Sequence, residues 1–500
     1  MKFYKIISLI LAVLMLMNTF AACGLNDNPD DSKTEINDSD SNTNNVETDI
    51  ETVDLAEEAL GRLTNIDWGG DEFCVLFTND IVGYSEEFEA EAKATNQTSS
   101  AIINDAVYER NILLGELCNL TFVPVRTTNL SISTQVNAEC QTNTGDFDLI
   151  TAPASTTAKM GTSGYLYNYM DMNIDYEQPW WDPGTLNFSL DGNLFFMNGA
   201  HNIVDDDLTF VFMFNKTLQE EAKIEDPYTT VRNQNWTLDY FNTIIQNVSA
   251  ENGDGVWDEK DTYGFSTPCS IGTTLFYGSG LRYISNSRDM DYPQLALSDQ
   301  LQKATLVLEK AQSIVHDNNA SYMAKIGHET LSRDVFVEER ALFYCEAASY
   351  LRALAQTMEG DYGVVPVPKF DKAQKNYLTW THDLGSTLSI PTSIADEIEN
   401  QQFEEVLETY VILSYQLIKP AYYETMLTHR NVRDPDSSEM LDLIFQNRIY
   451  DMAMYFTDLG FSQLFMNCVV DNADNFSSKY KANSNRFDKL IEKILEKIRT

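Results

Sequence analysis

The sequence predicts an α/β protein built on parallel sheet. Two observations lead there. Between residues 73 and 151 the chain reads strand, helix, strand, helix, strand, an alternation that calls for a parallel sheet with crossover helices. The 500 residues are 43% apolar and 11% aromatic, enough for a sizeable core and long enough for two or three domains.

The chain opens with a targeting segment. Lys2 and Lys5 form a short positive stretch, and residues 6–17 are apolar apart from Ser8. That run has the length of a signal-peptide core and is too short to span a bilayer. Residues 24–54 hold ten acidic residues, one lysine and no aromatic. Such a segment buries too little to offset the entropy of ordering, so 23–62 reads as a disordered acidic tether.

The first strand is 73–77. Ile103, Ala106, Val107, Arg110, Leu113, Leu114 and Leu117 then recur at spacings of three and four, the period of a helix. Residues 120–125 form a second strand, kept short by Pro124, and 147–151 a third. In open α/β sheets ligands bind beyond the carboxyl ends of the strands, which draws attention to the turns after Phe77, Val125 and Thr151. Apolar strands at 194–197 and 208–214 flank 199–207, a polar, acid-rich stretch that reads as a crossover between lobes. Helices follow near 237–248 and 301–315, a strand at 340–345 and a helix at 350–357. Extended runs at 362–367 and 385–390 look like the return crossing. A strong helix at 403–418 and two or three more complete the chain. No internal repeat is seen.

Charge narrows the function. With 34 basic against 76 acidic residues the formal net charge is −42. Loss of residues 1–22 would remove two lysines and leave −44. This argues against nucleic acid, against adsorption to an anionic membrane surface, and for a soluble monomer. Five histidines leave little room for a His-rich metal site. Cys74, Cys118, Cys140, Cys269, Cys345 and Cys468 show no CxxC spacing. They read as mostly free buried thiols, with one disulfide open and unassigned.

Two sets of motifs carry a resemblance to known families. Ala21, Ala22, Cys23 and Gly24 resemble the lipobox of bacterial lipoproteins. This implies cleavage before Cys23, lipid on its sulfur, and a protein anchored to the outer face of the bacterial cell membrane. FMFNK at 212–216, WTLD at 236–239, NGDGVWDEKDTYGF at 252–265, FVEERALFY at 336–344, YGVVPVPK at 362–369 and the stretch 421–450 with Arg433, Asp434, Met440, Leu441, Arg448 and Tyr450 together resemble the maltose-binding-like solute-binding lipoproteins of ABC importers. The resemblance covers about residues 65–500. It implies a two-lobe type II periplasmic-binding-protein fold with a central cleft. Lobe 1 would be 63–200 plus 383–418, and lobe 2 would be 201–382 plus 419–500. The lobes would close about hinges at 199–207 and 379–385.

Sugar rings present flat C–H faces and many hydroxyls, so their sites combine aromatic rings with carboxylates and amides. By position, the candidate ligand-binding residues are Trp380, His382, Asp383, Glu346, Tyr344, Tyr277, Asp206 and Trp181. Asp205 and Asp207 flank Asp206, and Trp180 stands beside Trp181. The loop 252–261 places Asn252, Asp254, Val256, Asp258 and Asp261 where an EF-hand-like loop has its oxygen ligands, with Gly255 at the sharp turn. Ala250 at the first position and Asp for Glu at the last depart from that pattern. The loop therefore reads either as a structural Ca²⁺ site or as an acidic turn that needs no ion. No other cofactor is called for.

GxSxG, GxxxxGK[ST], HExxH and GxGxxG are absent. The resemblance implies a binding protein that hands a small ligand, an oligosaccharide first among the candidates, to an ABC permease. Two alternatives stand beside it: a surface glycan-degrading enzyme working with paired carboxylates, and a ligand-sensing module without a transporter.

Overall fold

The computed structural model describes residues 55–81, 83–90, 99–285, 293–398, 402–427 and 435–499. The signal segment, Cys23 and the acidic segment through residue 54 lie outside it, as do Arg433 and Asp434. Residues 55–62 are helical and bury Ala56, so the segment drawn as a tether up to 62 is folded over its last eight residues.

The first half follows the predicted alternation. Strand β1 (Glu72–Thr78) leads through helix α1 (Ser99–Cys118) to β2 (Thr121–Thr127), then through α2 (Asn129–Thr142) to β3 (Leu149–Pro153) and on to α3 (Ala154–Gly161). β1 pairs in parallel with both β2 and β3. Pro124 is tolerated because β2 is the edge of this sheet. Thr121 donates its N–H towards β1 and Thr127 receives one from it, so Pro124, an odd number of residues from each, faces the open edge where no partner needs its missing N–H.

The short helix α4 (Ile203–Asp207) leads into β4 (Phe210–Asn215). The sequence read 199–207 as a polar, acid-rich crossover, and the structure buries part of that acid. Asp205 and Asp207 are buried, and residues 203–207 are helical. Residues 194–197 form no strand, only a bridge from Met197 to Leu388.

The second half comprises α5 (Leu238–Ile245), β5 (Tyr263–Thr267), α6 (Ile271–Gly278), α7 (Leu297–His316), β6 (Ser321–Met323), α8 (Glu329–Val337), β7 (Ala341–Ala347), α9 (Ser349–Thr357) and β8 (Tyr362–Val365). Its sheet runs β6-β5-β7-β4-β8, with β5 parallel to β6 and β7, and β4 antiparallel to both its neighbours. Thr237 caps α5, its hydroxyl accepting from Tyr240 N, and the preceding Trp236 is fully buried. The Trp236 indole donates to Pro366 O at 2.7 Å and meets Phe241 and Phe343. Across the sheet face, Phe212 stacks on Phe265 at 5.5 Å with Phe241 edge-on to both.

The chain returns through β9 (Thr379–Trp380) and β10 (Ser386–Ser389), the latter pairing antiparallel with β3 in the first sheet. Helix α10 (Gln402–Leu427) packs along α1. It continues past Pro420, so the boundary drawn at 418 falls inside one helix. Then follow α11 (Pro435–Phe445), β11 (Arg448–Ile449), α12 (Met452–Tyr455), α13 (Ser462–Val470) and α14 (Phe476–Ile498). The six cysteines named above are all free thiols. Among the described residues no helix is long and apolar enough to cross a membrane.

Gly264 marks how tightly α5 lies on β5: a Cβ there would collide with the Ile245 backbone. Backbone cannot yield as a side chain can, so Gly264→Ala is expected to lower stability by about 3 kcal/mol, seen as an earlier urea midpoint.

Candidate functional site

Three chain segments connecting the two sheets run side by side. β9 pairs with β11 in parallel, Arg448 opposite Thr379 and Ile449 opposite Trp380. On the other side Thr209 forms a bridge with Thr381. His382 N donates to Leu208 O at 3.1 Å, the Thr379 hydroxyl donates to Phe210 O at 2.6 Å, and the Thr209 and Thr381 hydroxyls lie 2.7 Å apart. The expected crossings at 199–207 and 379–385 thus lie next to each other, and a third segment, around Arg448, joins them.

Helix α4 is the hub of this region. Glu87 accepts from Val204 N at 2.8 Å with Oε1, placing a carboxylate at the first turn, and the same oxygen accepts from the Ser386 hydroxyl at 2.6 Å. Arg110 secures the Glu87 carbonyl at 2.7 Å and lies 4.5 Å over the Tyr410 ring. The three aspartates of α4 point to two guanidinium groups. Arg448 reaches Asp205 at 2.9 Å, Asp206 at 2.6 Å and Asp182 at 2.8 Å. The Tyr450 hydroxyl lies 2.7 Å from Asp182 and 3.0 Å from Asp205. Arg352 pairs with Asp207, and with Glu86 at 2.8 Å, while the Tyr422 hydroxyl donates to Asp207 at 2.8 Å.

Five carboxylates therefore share two arginines. For the three aspartates of α4, burial is the main cause of altered titration and outweighs the attraction of the arginines. It pushes Asp205 up to about 7, and Asp206 and Asp207 to about 6. Glu87 rises to about 8 for the same reason, against the pull of its hydrogen bonds.

Beside the hub, the carboxyl ends of the two sheets approach the return crossing. Ser155 N, at the start of α3, donates to Asp383 O at 3.2 Å, and Ala154 N to Gly385 O at 3.0 Å. His382 Nδ1 lies 2.8 Å from Asp383 Oδ1, and the imidazole is 40% exposed. Glu346 stands at the carboxyl end of β7, where Oε1 accepts from Ala347 N at 3.0 Å. Burial pushes its carboxyl up to about 7, with His382 opposing the shift. Ser155, Asp383, His382 and Glu346 thus lead from the end of β3 to the end of β7, the edge where α/β sheets hold ligands.

The other predicted ligand residues are engaged elsewhere. Trp380 stacks on Phe210 at 4.5 Å and donates its indole N–H to the Thr274 hydroxyl at 3.0 Å. Tyr277 is fully buried beside Phe276. Tyr344 packs on Phe336 at 5.5 Å. Trp181 is buried against Tyr176 and His201. Trp180 is buried as well. These rings fill core because a ring brings more apolar area than any other side chain, and they offer no face for a ligand to stack on. Asp206 is committed to Arg448. Of the eight predicted residues the structure leaves His382, Asp383 and Glu346 together at the sheet ends. Arg352 and Glu87 were missed. Only the scarcity of basic residues signalled that an arginine in the middle of an apolar stretch must have an acidic partner.

The loop 252–261 spends its carboxylates on its own backbone. Asp261 accepts from Asn252 N at 2.8 Å and Asp258 N at 2.7 Å, and Asp254 accepts from Val256 N at 2.8 Å. Asn252 accepts from Asp254 N at 3.0 Å, and Asp258 from Lys260 N at 2.9 Å. Among the described residues no group of three His, Cys, Asp or Glu side chains converges as a metal site.

No protein-family model matches the sequence, and no curated protein sequence matches it. Solved structures do match. UspC of M. tuberculosis is 13% identical and aligns with a TM-score of 0.54 over 82% of this chain and 98% of its own. The ABC substrate-binding protein Lmo0181 from Listeria monocytogenes, solved in complex with cycloalternan, is 11% identical, with a TM-score of 0.51 over 84% and 99%. UgpB from Mycobacterium tuberculosis, in complex with glycerophosphocholine, is 14% identical, with a TM-score of 0.51 over 78% and 95%. The chain has the two-lobe type II periplasmic-binding fold in its maltose-binding-like form.

Two outcomes follow for the aspartate hub. A carboxyl whose pKa is raised in the folded state favours the fold when protonated. Its contribution is complete below its unfolded value of 3.8 and is lost as pH rises through 6 to 7. The urea midpoint is therefore expected to fall between pH 5 and pH 8. Arg448→Met leaves three buried aspartates without their cation, so a loss of about 3–5 kcal/mol is expected at pH 8. The loss should shrink at pH 5.5, where protonated aspartates no longer need it.

Proposed function

We propose that the protein is an extracellular solute-binding protein, lipid-anchored at Cys23 and monomeric. It captures a small polyhydroxylated ligand, an oligosaccharide first, and delivers it to an ABC permease. The observation that carries this reading is the placement of Glu346, His382 and Asp383 where the carboxyl ends of both sheets meet the crossings, in a fold shared with ABC substrate-binding proteins. Carboxylates and an imidazole accept and donate hydrogen bonds to hydroxyls. Lobe closure would strip water from those bonds and strengthen them.

No step breaks a bond. The aspartates that suggested an acid pair for glycoside hydrolysis are held by Arg448 and Arg352, which favours binding over hydrolysis. A second reading concerns the ligand alone. Glu346 is half-buried, and the Ala347 N–H, His382 and the Tyr344 hydroxyl favour its charged form, so an amine or other cationic group on the ligand would also complete it. The solved relatives include one complex with cycloalternan and one with glycerophosphocholine.

A thermal-shift screen of sugars, polyamines and peptides, with and without Ca²⁺, tests this. A true ligand at a hundredfold excess over its Kd adds about 2.7 kcal/mol of stability. An oligosaccharide recovered intact supports the reading, and a cleaved one overturns it in favour of the enzyme. Glu346→Gln and His382→Ala are each expected to weaken ligand binding at least about tenfold by calorimetry, with the melting temperature of the free protein unchanged.

A further inference from the structure

The sequence contains two Asn-Gly pairs, Asn198–Gly199 and Asn252–Gly253. Glycine carries no side chain to shield its backbone nitrogen or to restrict its rotation, so an asparagine before it is open to attack by that nitrogen. The structure puts the two pairs in opposite surroundings. Asn198 is fully buried, and its side-chain oxygen has no hydrogen-bond partner among the described residues. Gly199 N donates to Asn202 Oδ1 at 3.2 Å, and a Cβ on Gly199 would lie 2.5 Å from Trp180 O. The backbone is held on both sides as well, Asp182 N donating to Asn198 O at 2.8 Å and Ala200 N to Trp180 O at 2.9 Å. A main chain so enclosed cannot bend towards its own side chain.

Asn252 and Gly253 lie in the exposed part of the loop 252–261. Gly253 has a φ of 104°, and a Cβ on it would meet nothing within 4 Å. Its N–H donates to Glu251 Oε2 at 2.9 Å. Asn252 Oδ1 accepts from Asp254 N at 3.0 Å. Glu251 is fixed in this place by its other oxygen, which accepts from Gly255 N at 2.6 Å. The loop therefore sets a carboxylate on the nitrogen that would attack and a backbone donor on the oxygen of the carbonyl that would be attacked. Neither aid is present at Asn198.

We propose that Asn252 is a self-modification site, converted by its own loop to aspartate and isoaspartate. Gly253 N bonds to Asn252 Cγ while Glu251 takes the proton from that nitrogen. Negative charge develops on Oδ1, where the Asp254 N–H stabilises it. The Cγ–Nδ2 bond then breaks, and ammonia leaves with the proton that Glu251 held. A cyclic succinimide remains, and water opens it at either carbonyl. The net change is amide plus water to carboxylic acid plus ammonia, and no ligand or second protein takes part. The product adds a negative charge beside Glu251, Asp254, Asp258 and Asp261, and its isoaspartyl form lengthens the backbone by a methylene. Both changes fall directly before Val256 and Trp257, the exposed apolar pair that the loop displays.

Peptide mass spectrometry of the folded chain, held in mildly alkaline buffer with a chelator, tests this. The mass gain of amide-to-acid conversion, with isoaspartate identified by fragmentation, is expected at Asn252 and not at Asn198. In denaturant both pairs should convert, and Asn252 should react no faster there than in the folded chain. Glu251→Gln should slow conversion at Asn252 at least about tenfold with circular dichroism unchanged. The proposal falls if folding protects Asn252 while denaturant releases it, or if Asn198 converts as fast as Asn252 in the folded chain. It also falls if Glu251→Gln converts at the unmodified rate.

Discussion

Arg448 is the residue on which the crossing region depends. Its guanidinium is buried, and a buried charge costs several kcal/mol unless oxygens surround it. Asp182, Asp205 and Asp206 supply those oxygens from two distant parts of the chain. Each of those aspartates is in turn too costly to bury without the arginine. The bargain is mutual, and it fixes α4, the turn at Asp182 and strand β11 relative to one another. Arg352 repeats the arrangement for Asp207 and Glu86, tying α9 to the same hub.

This explains why three connecting segments stay in register with so little regular structure. β9 and β11 are two residues each, and Thr209 meets Thr381 at a single bridge. Short ladders contribute little by themselves. Charge pairs and the threonine hydroxyls add the specificity that the ladders lack, since any slip would leave a buried carboxylate without a cation. Carboxylates outnumber arginines in the hub, so its strength depends on protonation. Nearby, His382 and Asp383 leave the same return crossing with their side chains partly open to solvent, and the candidate ligand groups thus stand on the most firmly held stretch between the sheets.

The candidate site was legible in part. Glu346 follows the predicted strand 340–345, and His382 and Asp383 lie in the predicted crossing 379–385, so their places in the chain could be read without knowing their contacts. The aromatic candidates failed for a physical reason. A tryptophan such as Trp380 near a crossing has the same neighbours in sequence whether its ring faces ligand or stacks on Phe210, and only the packing decides. The burial of the acid run 205–207 was not legible for the converse reason. Burying three aspartates requires cations, and Arg352 and Arg448 lie 145 and 242 residues further along the chain from Asp207 and Asp206, beyond any local pattern.

What the sequence determined by itself was set by local periodicity and composition. It set the strand–helix alternation of residues 73–151, the short second strand with its Pro124, and the helix that begins near Thr237. These depend on neighbours within a few residues, which a single sequence displays in full. The tertiary structure alone decided which carboxylates meet which arginines, which aromatic rings are core, and that β11 completes the crossing beside β9. Those outcomes rest on contacts between residues hundreds of positions apart, where the energy of burying a charge or a ring depends on a partner that no local pattern names.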